Sequence, residues 1–168
     1  MPRGYLLIGT TLTCLLAANA LEAQEPTPGI VDRGPDHHLI YAPDDVEWQA
    51  GPGSFEPGAE FTILEGDPLT PGVFTMRIRM PDGFVIAPHW HPNVERVTVL
   101  SGTFHLGSGE RLDRSAAERL DEGSYFALLP ETPHYAITEG RTVIQLTSVG
   151  PWKINYVNAA DDPRQRDR

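Results

Sequence analysis

Gly83-Phe84-Val85-Ile86-Ala87-Pro88-His89-Trp90-His91-Pro92-Asn93-Val94-Glu95-Arg96-Val97-Thr98-Val99-Leu100-Ser101-Gly102 carries most of the chemistry legible in this chain. His89 and His91 are two apart, so on extended backbone both imidazoles project from one face. Pro92-Asn93 then bends the chain. Glu95 opens the next apolar run, where a carboxylate has no packing reason to sit. Two neutral imidazoles and one carboxylate suit Fe(II), Mn(II), Zn(II) or Ni(II), with positions left open for water or substrate. Downstream, Leu128-Leu129-Pro130-Glu131-Thr132-Pro133-His134-Tyr135 places another histidine just after a Pro-rich turn between two apolar strands. In an antiparallel barrel His134 would face back across the lumen toward the first cluster. Glu131, three residues earlier in that turn, is its rival as a ligand, and the turn is expected to direct its side chain to solvent.

Outward from this segment the chain reads as short strands. Val73 to Met80 alternates, with Phe74, Met76, Ile78 and Met80 on one face and Thr75, Arg77 and Arg79 on the other, the pattern of a half-buried strand. Further strands are expected at Phe61–Leu64, Phe84–Ala87, Arg96–Leu100, Thr103–Leu106, Tyr125–Leu129, His134–Thr138, Thr142–Val149 and Ile154–Val157. One helix is expected between strands, over Asp113–Leu120, with Asp113 or Ser115 as its cap. The 16 Gly and 16 Pro among 168 residues imply many short elements joined by tight turns. The class is all-β, a sandwich or barrel. The expected organisation is a leader over 1–23, an extended arm over 24–45, a barrel over 46–158 and a frayed polar tail over 159–168.

Gly83, five residues, His89, one, His91, three, Glu95, six, Gly102 is similar to the first motif of the cupin superfamily at every defined position. Gly123, about ten residues, then His134 resembles the second. There the usual Pro falls at Leu129, the usual Gly at Glu131 and the trailing Asn at Thr138. The resemblance runs from about Phe61 to Tyr156, nearly the whole of the expected barrel. It implies a double-stranded β-helix, or jelly-roll, barrel as a single cupin domain. It implies His89, His91, Glu95 and His134 as ligands of one divalent transition metal. Cupin-like barrels pair through sheet edges and arms, so a homodimer is expected. The chain also resembles the cupin half of certain zinc-binding anti-sigma factors, from which it differs in having no cysteine-containing second domain.

The first two dozen residues read as a secretory signal. Arg3 supplies a positive start, Leu6 to Ala18 is uncharged, and Ala18-Asn19-Ala20 offers a cleavage site, with a second after Ala23. The uncharged run is shorter than the ~17–25 residues a span requires, so a soluble periplasmic or extracellular protein is expected. Cys14, the one cysteine, lies inside that leader, which leaves the mature chain without disulfides, thiolate zinc sites or a cysteine nucleophile. A net charge of −10 disfavours nucleic acid and anionic lipid surfaces. His37 and His38 fall in the Pro/Gly-rich arm and read as solvated. His105 would face inward only if the parity set by Glu95 survived Ser101-Gly102, and Trp90 should point away from the ligands on either side of it. No nucleophile elbow, phosphate loop or dinucleotide fingerprint occurs. The expectation is an exported metal-binding protein acting on a small molecule as a dioxygenase or isomerase. The alternatives are a non-catalytic, metal-dependent binding or sensing module, and a metal-free structural barrel.

Overall fold

The computed structural model describes residues 39–166, so the leader, Cys14, His37 and His38 lie outside the described residues. Nine strands follow: β1 (Gln49–Ala50), β2 (Glu60–Glu65), β3 (Gly72–Met80), β4 (Val85–Trp90), β5 (Glu95–Ser108), β6 (Glu118–Asp121), β7 (Tyr125–Leu128), β8 (His134–Gly150) and β9 (Asn155–Tyr156). They form one curled antiparallel sheet in the order β1-β2-β3-β8-β4-β9, with β5 joined to β6, β7 and β8. The fold is an all-β jelly-roll barrel. Phe74, Met76, Ile78 and Met80 point into its core, each no more than 5% exposed. A buried side chain of that kind contributes ~1.5–3 kcal/mol relative to leaving it in water.

Two long strands carry the closure. β5 pairs with the second half of β8 through Arg96↔Thr147 to Ser101↔Val143, and with its first half through Thr103↔Glu139 to Ser108↔His134. The sequence reads each of these strands as two, because Ser101-Gly102 and Glu139-Gly140-Arg141 carry turn signals. Those residues instead bend the strands at a corner. Gly102 has φ 78°, and a Cβ there would stand 2.5 Å from the Arg141 carbonyl oxygen. Only glycine meets both demands at low cost.

The expected helix over Asp113–Leu120 is not formed. Asp113 Oδ1 accepts from the Ser115 backbone N–H at 2.9 Å and from its hydroxyl at 2.6 Å, which makes a local turn rather than a cap. Glu118–Asp121 then pairs with β5, Leu106 opposite Glu118 and Phe104 opposite Leu120. Eight residues give barely two helical turns, too few to recover the nucleation cost without a packed face, and the β5 edge offers a full ladder. The chain end also departs from expectation. Short 3₁₀ turns occupy Ala159–Asp161 and Pro163–Gln165. Arg164 Nε donates to Asp162 at 2.7 Å and an Arg164 Nη donates to the Ile154 carbonyl, so residues 159–166 fold back rather than fray. Among the described residues no helix is long and apolar enough to cross a membrane.

Candidate metal centre

A bulge aims the first two histidines. On β4, Ile86 pairs with Ala136 and His89 with His134, so three steps on β4 match two on β8. The extra residue shifts the inward parity from Ile86 to His89 and His91, and all three line one chamber. His134 opens β8 directly across from His89, and their ring centroids are 4.1 Å apart. Glu95 opens β5. The four side chains converge although they come from β4, the loop after it, β5 and β8.

Each imidazole is fixed by a backbone carbonyl. His89 Nδ1 donates to Ala87 O at 2.8 Å, His91 Nδ1 to Lys153 O at 2.9 Å, and His134 Nδ1 to Thr132 O at 2.9 Å. A carbonyl only accepts, so each Nδ1 carries the proton and each Nε2 keeps its lone pair for the chamber. One nitrogen from each ring lies within 4.8 Å of the other two. Glu95 Oε2 is 3.2 Å from His134 Nε2, and Glu95 Oε1 is 3.6 Å from His91 Nε2. All four residues are buried, none more than 6% exposed. Neutral imidazole lone pairs facing a carboxylate are acceptors facing an acceptor, an arrangement that calls for a shared cation. These separations suit donors sharing an ion through bonds of ~2.0–2.2 Å. His91 Nε2 has no hydrogen-bond partner, and an unsatisfied buried group costs ~1–3 kcal/mol. The three imidazoles are grouped closely enough to hold a divalent metal ion, with the three Nδ1–H donations as outer support.

Burial, reinforced by the neighbouring imidazoles His134 and His91, holds His89 well below its ordinary 6.5. Burial also lowers His91, against the opposing pull of Glu95. For Glu95, burial pushes upward, but in the metal-free protein a proton taken up at Nε2 of His134, which then donates to the carboxylate, or of His91 outweighs it and leaves the carboxyl below 4.5. All three folded values lie under the unfolded ones, so the unfolded chain binds more protons in acid. Metal-free protein should therefore lose stability as pH falls through about 6.5, and again below about 4.5 as Glu95 protonates. Denaturation midpoints of the metal-free protein across that range check this; a midpoint rising on acidification contradicts it.

The remaining sequence candidates lie elsewhere. His105 faces the outer side, its Nε2 3.0 Å from Glu139 Oε2, which also takes Arg119 at 2.7 Å. The register shift at Ser101 resets the parity, so Phe104 lines the chamber in its place. Glu131 is exposed with φ 60°, and its backbone N–H donates to the His91 carbonyl at 2.8 Å. Trp90 lines a separate outer pocket with Glu131. Sequence reasoning misses Trp152, whose ring stacks on His91 at 4.3 Å and 19°. It also misses Lys153 as the source of the carbonyl that orients His91. Both are some 60 residues away along the chain, and no local pattern announces them. Apart from the four polar residues the chamber is lined by apolar and aromatic side chains, and its free volume is about 20 Å³, room for about one water.

Residues 36–152 match the family described as the ChrR cupin-like domain. The chain belongs to that family. Solved cupin structures share its fold. KdgF from Halomonas sp. is 25% identical with a TM-score of 0.51, over 66% of this chain and 92% of that one. The polyketide cyclase RemF from Streptomyces resistomycificus is 18% identical with a TM-score of 0.59, over 74% and 88%. An RmlC-like cupin from Shewanella frigidimarina NCIMB 400 is 17% identical with a TM-score of 0.52, over 67% and 90%. A search of curated proteins found no match. In this cupin-like domain the two glycines that bound the first motif, Gly83 and Gly102, have φ of 69° and 78°, so the motif is framed by two turns that few other residues adopt.

Proposed function

We propose that this cupin-like protein is an exported metalloprotein that holds one divalent transition metal through His89, His91, Glu95 and His134 and acts on a small molecule as a dioxygenase or isomerase. The observation that carries the metal reading is the set of three Nδ1–H donations to backbone carbonyls, which commits three Nε2 lone pairs to one buried point beside a carboxylate. A bound divalent ion would supply Lewis-acid polarisation of a carbonyl or a site for dioxygen. The chain itself contributes two things. The apolar wall, Val97, Phe126 and Leu146 among it, leaves the chamber room for about one water. Glu95, which lines that chamber, would take a proton from a bound carbonyl compound only on leaving the metal.

Export through the leader, with cleavage between Ala20 and Gln24, and a homodimer complete the proposal. The rival is metal-dependent binding without turnover. One preparation tests the set. Mature protein purified without oxygen should start between Leu21 and Gln24, run at dimer mass and contain close to one divalent metal per chain. Oxygen-electrode and ultraviolet assays on phenolic, keto and enol compounds then separate turnover from binding. Metal-free protein as isolated, unable to take up Fe(II), Mn(II), Zn(II) or Ni(II), would sink the reading.

A further inference from the structure

The wall beside the metal chamber has a second face. Phe55, Ile78, Trp152 and Ile154 line the chamber on one side and an outer groove of about 330 Å³ on the other, a volume in the range of small-molecule sites. Phe61, Ile63, Leu69 and Met76 extend the groove's apolar lining. Three charged side chains, Asp67, Lys153 and Arg164, stand at it. Two are already engaged. Asp67 Oδ1 accepts from the Leu69 N–H at 2.8 Å, and Arg164 is held by Asp162 at 2.7 Å. Lys153 is the one lysine in the sequence. It is exposed and, among the described residues, has no ion-pair partner. The wall also holds an unused donor. Trp152 Nε1 is buried without an acceptor, whereas a buried indole N–H normally finds one.

We propose that this groove receives a small apolar molecule ending in an oxyanion, a carboxylate or enolate, and that the Trp152 ring is the movable partition between it and the metal chamber. The inference rests on the metal-centre reading above. A chamber of about 20 Å³ holds no more than the reacting end of a ligand, so the ligand's body needs a second compartment. The groove is the compartment that shares a wall with it. In a chain of net charge −10, an unpaired lysine at an apolar groove is a local cation, and the idle indole N–H supplies a hydrogen bond to the same oxygen head. The Trp152 backbone is anchored, its N–H donating to Pro68 O at 2.7 Å. Its ring is held by packing alone, stacked on His91 and edge-on to Phe74 at 6.0 Å. Rotation about the side-chain bonds therefore breaks no hydrogen bond.

The test uses the zinc-loaded full chain with phenylbutyrate and its uncharged counterpart phenylbutyramide, read by calorimetry and by tryptophan fluorescence. Wild-type protein should bind the carboxylate at least ~5-fold more tightly than the amide. Lys153→Glu should weaken the carboxylate by ~5–10-fold and leave the amide unchanged. Trp152→Phe, which keeps a ring but removes the donor, should weaken both by ~3–10-fold. Zinc stoichiometry is measured on the same samples, because neither side chain contributes a ligand atom. Normal zinc uptake with carboxylate and amide bound equally, or with both variants indistinguishable from wild type, overturns the groove assignment alone. Failure of the wild-type chain to take up zinc overturns the metal reading beneath it.

Discussion

His91→Ala should leave purified protein nearly free of transition metal, with affinity reduced by ~100-fold or more, beyond the ~10–100-fold typical of losing an outer-sphere partner. His91 is the most exposed of the four to this test because its Nε2 has no other use: no hydrogen bond reaches it, and Glu95 Oε1 stands 3.6 Å away. Its Nδ1 is locked to the Lys153 carbonyl, so the ring cannot turn to offer a different nitrogen without breaking that bond. His134→Ala should act in the same direction, since His134 faces Glu95 at 3.2 Å. Glu131→Gln is the control. Its side chain is exposed and only its backbone N–H touches the site, through the His91 carbonyl, so metal content should not change. Metal titration with circular dichroism on each variant reads the result. Full occupancy in a combined His89, His91 and Glu95 alanine variant would show that the metal binds elsewhere.

The first motif is legible because its chemistry is local. His89 and His91 share a face through strand periodicity, and Glu95 stands out as a carboxylate opening an apolar strand. Even the outer support is partly local, since Ala87 and Thr132 each lie two residues before the histidine they orient. What stays hidden depends on partners distant in sequence. The bulge between Ile86 and His89 exists only in the pairing of β4 with β8, and the Trp152 stack and the Lys153 carbonyl come from beyond β8. The strand breaks misread at Ser101-Gly102 and Glu139-Arg141 have the same origin. A glycine with positive φ signals a turn, but whether the strand stops or bends is decided by the ladder on either side. The Asp113–Leu120 segment reads as helix from its composition, and it becomes strand because β5 offers hydrogen bonds that an isolated two-turn helix cannot match.

Gly107→Ala should destabilise the barrel beside the site. A Cβ at Gly107 would fall 1.9 Å from Tyr135 Cζ and 2.0 Å from Cε2, well inside any tolerable contact. The ring has nowhere to go: Tyr135 is 1% exposed, and its hydroxyl donates to the Asp113 carbonyl at 2.7 Å. Overpacking of this kind costs ~1–3 kcal/mol, which at ~2–4 °C per kcal/mol for a chain of this size lowers the melting temperature by roughly 2–12 °C. The effect should reach the metal centre as well. Gly107 pairs with Tyr135 and Ser108 with His134 across β5 and β8, so a displaced Tyr135 moves the backbone that positions its neighbour His134. Metal affinity should fall alongside stability, although neither Gly107 nor Tyr135 offers a ligand atom. Tyr135→Leu supplies the check, because it removes the ring atoms that the new methyl would strike. The double variant should therefore be less destabilised than the two single variants added together, with a coupling of ~1 kcal/mol or more. Strict additivity in thermal and denaturant unfolding would show that the clash is relieved by backbone movement elsewhere, and that Tyr135 does not set the position of β8 at the metal centre.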